Sequence, residues 1–106
     1  MIAKTPNTPY YAVIFTSFRT DVDDNYSEIA NKMVELAKEQ DGFLGIEFAR
    51  NEIGITVSYW RDLESIKQWK MNTDHTVARD KGRKDWYSAF KTRIAKVERD
   101  YGFEKE

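Results

Sequence analysis

The stretch GITVSYWRDLESIKQWKMNTDHTVA, Gly54–Ala78, decides how the rest of the chain is read. It opens with strict alternation, in which Ile55, Val57 and Tyr59 fall on one side and Thr56, Ser58 and Trp60 on the other. β-Branched and aromatic residues in a two-residue period make a strand. Arg61 and Asp62 break the alternation, and Asp62 can cap a following helix by accepting a backbone N–H. On that helix Leu63, Ile66 and Trp69 recur three apart as one apolar stripe. Met71, Asn72 and Thr73 end the stripe, and Asp74 is expected to cap a second helix carrying His75, Ala78 and Arg79. The chain's one histidine therefore follows closely on a helical tryptophan. Any reactive or ligand-binding pocket is expected here.

Outward from this stretch the same two periods recur. Tyr10–Arg19 is the strongest strand and is apolar on both sides, with Tyr11, Val13 and Phe15 opposed to Tyr10, Ala12, Ile14 and Phe18. The acidic loop Thr20–Asp24 lacks the glycine and terminal glutamate of a calcium loop; its charge suits the helix that follows. Asn25 and Glu28 have capping-box spacing, and Ile29, Ala30, Met33, Val34 and Ala37 make an apolar helical stripe. Asp41-Gly42 is read as its stop, with Gly42 in the left-handed position past the helix end. Phe43–Arg50 alternates again and should form a hairpin with Gly54–Trp60 through Asn51-Glu52. Helical character is expected as far as Trp86, weakened at Gly82, and Ser88–Tyr101 contains a last strand. Met1–Pro9 is an extended lead-in, and Gly102–Glu106 a tail that frays after Phe103.

Strand, helix, strand, strand, helix, strand is the split βαβ order. The expected fold is α+β, ferredoxin-like: a four-stranded antiparallel sheet in one domain spanning 1–106, with both helices on one face. The first strand is apolar on its other face too. A lone chain would leave that patch in water, so a homodimer with sheets face to face is expected.

Composition narrows the function classes. The chain has 106 residues and no cysteine, which excludes disulfides, thiolate metal sites and cysteine nucleophiles. With 17 basic against 18 acidic residues there is no net positive charge to hold nucleic acid. Arg79, Lys81, Arg83 and Lys84 are interleaved with Asp80 and Asp85, as on a solvated helix face. No run approaches a signal peptide or a membrane span, so no membrane partner and a cytoplasmic location are expected. Aromatic residues make up 14% of the chain, enough to furnish a pocket as well as a core. No Ser-His-Asp order, phosphate loop or metal-ligand spacing is present.

The βαββαβ order, the GFLG of Gly42–Gly45, the SYWRDLESIKQW of Ser58–Trp69 and the downstream His75 together resemble the antibiotic biosynthesis monooxygenase family, whose members are dimeric α/β-barrel proteins. The resemblance runs from Tyr10 to Tyr101 and implies a small oxygenase that needs no metal or flavin. Its substrate would be an aromatic or quinol-like molecule able to reduce oxygen itself after losing a proton. A heme-degrading branch, by the same resemblance, uses an asparagine on the first strand and a histidine about ten residues after the tryptophan. Here Thr16 and Ser17 stand at the first place and Arg79 at the second. Heme binding without turnover is the alternative reading.

Such chemistry requires a base and a dry pocket. His75, the one side chain that titrates near neutrality, is the candidate base. Trp69, Tyr59 and Trp86 are candidates to stack on a planar substrate, and Arg79 to hold an anionic oxygen. Each has a plainer alternative: a surface histidine, core aromatics, a solvated arginine.

Overall fold

Tyr10–Arg19 (β1) runs through the middle of a four-stranded antiparallel sheet. The other strands are Phe43–Arg50 (β2), Gly54–Trp60 (β3) and Tyr87–Val97 (β4), arranged β2-β3-β1-β4. Helix α1 is Tyr26–Lys38 and helix α2 is Leu63–Ala78. The structure is a computed structural model; it describes residues 2–23, 25–78 and 85–105, with no side chains at 74–78. Among the described residues no helix is long and apolar enough to cross a membrane.

Register fixes which side chains share a face. Tyr11 lies opposite Trp60, Val13 opposite Ser58 and Phe15 opposite Thr56. Both helices cover this face: Ala37 of α1 and Ile66 of α2 close over Trp60, which is fully buried, with Tyr11, Val13, Phe43 and Trp69 packed around them. Trp60 meets Phe43 edge-on at 5.4 Å and stacks on Trp69 at 5.9 Å. Its indole N–H donates to Ser58 Oγ at 2.9 Å, so the polar end of the ring is satisfied where water cannot reach.

The opposite face is partly covered by the chain itself. The N-terminal lead-in lies against it: the Ala3 N–H donates to Glu47 Oε2 at 2.8 Å, and Thr5 Oγ1 donates to the Tyr10 hydroxyl at 2.9 Å. A side chain at Gly45 would meet the Ala3 methyl at 2.8 Å, so the strap packs directly on the strand. Tyr10 and Ala12 are buried in consequence. Farther along the same face Phe18 and Ile55 are exposed and Ile14 and Val57 half-buried. The strap therefore covers about half of what the sequence reading assigned to a second chain. Beyond β4 the tail is exposed, Tyr101 by 96% and Phe103 by 88%.

Three local expectations are corrected. Helix α2 does not break at Asp74. Thr73 donates its hydroxyl to the Trp69 carbonyl at 2.8 Å and Asn72 donates to Gln40 Oε1 at 3.0 Å, so these helix-neutral residues are used inside one continuous helix. Asn25 makes no side-chain cap; it sits at φ 64°, where asparagine is tolerated, and the Tyr26 N–H is taken by the Asp23 carbonyl at 2.6 Å. Helix α1 stops at Lys38, with Glu39 still right-handed, and Gly42 takes positive φ only in the turn into β2. The segment 79–84, where a kink at Gly82 was expected, lies outside the described residues.

The turn at Gly42 is clamped to the start of α2. Asp62 Oδ1 accepts from both the N–H and the hydroxyl of Ser65, at 2.8 and 2.7 Å, which is the cap expected of it. Arg61 reaches both oxygens of Asp41, at 3.2 and 3.0 Å, and its N–H donates to the Gly42 carbonyl at 2.8 Å. The Ser65 bonds, with Arg61 beside them, hold the Asp62 carboxyl down to about 2. A carboxylate so depressed stabilises the fold above its unfolded pKa of 3.8 and loses that effect as pH falls toward 2. Asp62→Ala should therefore lower the melting temperature at pH 7, and the difference from wild type should shrink below about pH 4. A Cβ at Gly42 would stand 2.0 Å from Ser65 Oγ at φ +88°. Gly42→Ala should cost about 2–4 kcal/mol in urea unfolding, the left-handed strain and the displaced serine adding together.

Candidate active site

Five chain segments converge at one end of the helix-covered face. There β1 ends at Arg19, the β2–β3 hairpin turns between Arg50 and Gly54, and β4 begins at Tyr87 opposite Arg19. Helix α1 starts immediately after β1. Helix α2 leaves the Trp60 end of the sheet and must return to where β4 starts, so its last turns run toward the same place. Sixteen helical residues and the seven of β3 both span about 24 Å, which makes the return complete.

The described side chains at this end form a cluster of packed aromatic rings, termed the chamber. Phe15 packs on Tyr87 at 5.4 Å and on Phe90 at 5.5 Å. Tyr26, the first residue of α1, meets Trp86 and Tyr87 edge-on at 5.5 and 5.8 Å. The Tyr87 hydroxyl donates to the Tyr26 hydroxyl at 3.1 Å. Desolvation, then that bond, pushes the Tyr87 hydroxyl above the ordinary tyrosine range, against the pull of Arg50 and Arg19.

Two guanidinium groups enter the chamber. Arg19 lies over the Tyr26 ring at 3.5 Å, a cation–π contact, and donates to the carbonyls of Trp86 and Val22 at 3.1 and 2.9 Å. Arg50 crosses over Gly54 to donate to the buried Ser17 hydroxyl at 2.5 Å. A Cβ at Gly54 would fall 2.1 Å from Arg50 Cζ, so the glycine provides the space. Among the described residues neither guanidinium has a carboxylate within ion-pair distance. Trp86 is buried with its Nε1 lacking a hydrogen-bond partner among the described residues. A buried, unused donor is costly, and a water, ion or ligand at that spot is one way it is satisfied.

The residues singled out from sequence are distributed unequally. Trp86 lies in the chamber wall. Trp69 belongs to the neighbouring core, stacked on Trp60. Tyr59 lies on the opposite face, donating to Glu47 Oε1 at 2.6 Å and packing edge-on against Tyr10. The sheet separates it from both tryptophans. His75 is in the last turn of α2, its side chain outside the description, and Arg79 lies outside the described residues. Phe15, Arg19, Tyr26, Arg50 and Tyr87 were not singled out by sequence, and Ser17 only as standing, with Thr16, at the place of the heme-degrading branch's asparagine. Only the cross-strand register brings Ser17, Gly54 and Arg50 into one row. Among the described residues no cluster of three metal-ligating side chains occurs.

Residues 9–81 match the model of the family described as antibiotic biosynthesis monooxygenase. The chain belongs to that family. It is 46% identical over 106 residues to the uncharacterized protein YqjZ of Bacillus subtilis, covering 98% of this chain and 93% of that one. Among solved structures it resembles SnoaB, a cofactor-independent oxygenase from Streptomyces nogalater, with a TM-score of 0.65 at 6% identity over 92% of this chain and 100% of that one. PA3566 from Pseudomonas aeruginosa gives 0.66 at 16% identity over 89% and 97%. At such identities the likeness shows the antibiotic biosynthesis monooxygenase fold, which this chain shares, and nothing of the reaction.

The tyrosines provide a solution test of the geometry. Burial, then the Glu47 bond, raises Tyr59; burial and the Asp100 bond raise Tyr10. A hydroxyl raised in the folded state stabilises the fold below its unfolded pKa of about 10 and ceases to do so as pH rises through the folded value. In an absorbance titration, Tyr10, Tyr59 and Tyr87 of the six tyrosines should stay un-ionised above pH 10 until the chain unfolds. Tyr59→Phe should flatten the alkaline loss of stability.

Proposed function

We propose that the chain is a small cytoplasmic monooxygenase that oxidises an electron-rich aromatic or quinol-like molecule without metal or flavin. The observation that carries the reading is the aromatic cluster, able to meet a planar ring, with two guanidinium groups beside it that have no carboxylate partner among the described residues and suit an anionic oxygen. Family membership supports it independently.

The reaction balances without a cofactor. A phenolic substrate with an activated CH₂ loses a proton to a base, and the resulting anion reduces O₂. One oxygen atom bonds the carbon and becomes the new carbonyl. The other leaves as water with the two hydrogens of the CH₂. His75 is the proposed base, because the last turns of α2 run toward the chamber and imidazole titrates near neutrality. Arg79, four residues after His75 in the sequence, is proposed to meet the substrate's anionic oxygen, with Trp86 stacking on its ring. Trp69, stacked on Trp60 in the core, is given no contact with the substrate. Tyr59 is proposed to act only through the opposite face.

That face is the proposed seat of a second copy. On its outer half Phe18 and Ile55 are exposed and Ile14 and Val57 only half-buried. Light scattering should give about twice the chain mass. Ile14→Asp should give monomer, whereas Val13→Asp, on the helix-covered face, should prevent folding.

For heme, an iron would need an axial ligand. Among the described side chains there, only the Tyr26 and Tyr87 hydroxyls could serve, and they are bonded to each other; the His75 imidazole would be the other candidate. The decisive experiment is aerobic turnover of an anthrone, followed by quinone absorbance. His75→Ala should slow it by about 10²–10⁴, the usual contribution of a general base. Equal rates with and without protein would defeat the oxygenase reading.

A further inference from the structure

The side chains of the chamber are donors almost throughout. Two hydroxyls within bonding distance share one bond and leave one proton over. The Tyr87 proton goes to the Tyr26 oxygen, so the Tyr26 proton is the one left, and no described residue accepts it. Around it stand the Arg19 guanidinium, stacked on its own ring, and the unpartnered Trp86 Nε1. Arg50 approaches from the far side of Ser17. Asp21, Asp23 and Asp85, the described carboxylates nearest in the chain, are exposed, and the Arg19 bonds go to carbonyls instead. Donors gathered where no described carboxylate pairs with them are suited to an anion.

We infer that the Tyr26 hydroxyl holds the ionised phenol oxygen of the substrate, with Tyr87 orienting its proton outward and Arg19 and Arg50 setting positive charge beside it. The inference rests on the oxygenase reading and deepens it. A phenolate held by a charge-assisted hydrogen bond ionises at lower pH than the free phenol. The anion is the form that gives electrons to oxygen, so Tyr26 would raise the reactive fraction without itself exchanging a proton. Position explains why this falls to Tyr26: it is the first residue of α1, anchored through its ring by Arg19 and through its oxygen by Tyr87.

A purely structural hydroxyl pair, pinning α1 to β4, predicts a different result. The probes are para-nitrophenol, whose absorbance separates its neutral and ionised forms, and para-nitroanisole, a similar ring that cannot ionise. Each is titrated into the full chain, wild type and variants, across a range of pH. Wild type should bind the phenolate at least about ten-fold more tightly than the anisole, and the bound phenol should ionise at lower pH than the free one. Tyr26→Phe should lose about ten-fold of that preference, with anisole affinity and melting temperature retained. Tyr87→Phe should lose less, because Tyr26 keeps its proton but not its orientation.

If Tyr26→Phe keeps both the preference and the shifted ionisation while the anthrone is still oxidised, the Tyr26 assignment is overturned and the oxygenase reading stands. If wild type binds neither ring and oxidises no anthrone, both fall together. Should Tyr26→Phe fail to fold, Arg50→Gln carries the test: an unchanged phenolate-to-anisole ratio there overturns the anion site.

Discussion

A single strand with two apolar faces constrains everything else in this molecule. β1 is central, paired on both edges, and neither its Tyr11–Val13–Phe15 side nor its Tyr10–Ala12–Ile14 side can be left in water. Two helices connected by short crossovers reach only one face. The other face must be closed by something else. The chain closes half of it with its own N-terminus, anchored by Ala3 on Glu47 and Thr5 on Tyr10. The strap does not simply lie on an apolar surface, because it ends in a network of Thr5, Tyr10 and Asp100 that ties the beginning of the chain to its end.

The same strand explains why chemistry collects at one end. The antiparallel order brings the β1–α1 connection, the β2–β3 hairpin and the start of β4 to the end where β1 stops, so a helix start, a hairpin and a strand start meet there. The opposite end is occupied by the stacked Trp60 and Trp69 and by the Arg61–Asp41 clamp. One end of the helix-covered face is thus spent on holding the layers together. The other is lined by tyrosines and arginines whose hydrogen-bonding groups are incompletely used.

The fold was legible in the sequence because each strand declares itself by alternation and each helix by its stripe. Those are local signals, and strand bounds read from them for β1, β2 and β3 agree with the structure residue for residue. Errors arose where one residue type serves two purposes. Asn72, Thr73 and Asp74 look like a helix end because their side chains compete for the backbone, yet inside α2 Asn72 and Thr73 make bonds that let the helix continue. Asn25 looks like a cap because asparagine usually is one, yet the chain uses its tolerance of positive φ. The tryptophan-and-histidine segment attracted attention by its rarity in the sequence. The chamber could not, since phenylalanine, tyrosine, serine and arginine at strand ends carry no message until register sets them side by side.

Register is therefore the more exacting requirement for function. The three-residue turn that joins β2 to β3, closed by the Asn51 N–H on the Ile53 carbonyl at 3.0 Å, sets Arg50 opposite Gly54 and Gly54 opposite Ser17. Arg50 can reach the buried serine only because the residue between them has no side chain. A slip of one residue would turn Arg50 to the strap side of the sheet, while β2 would still pair with β3. The fold therefore tolerates changes at this corner that the chamber does not. That asymmetry is one physical reason a family can keep its sheet and helices at 6–16% identity while the groups at its working end are free to differ.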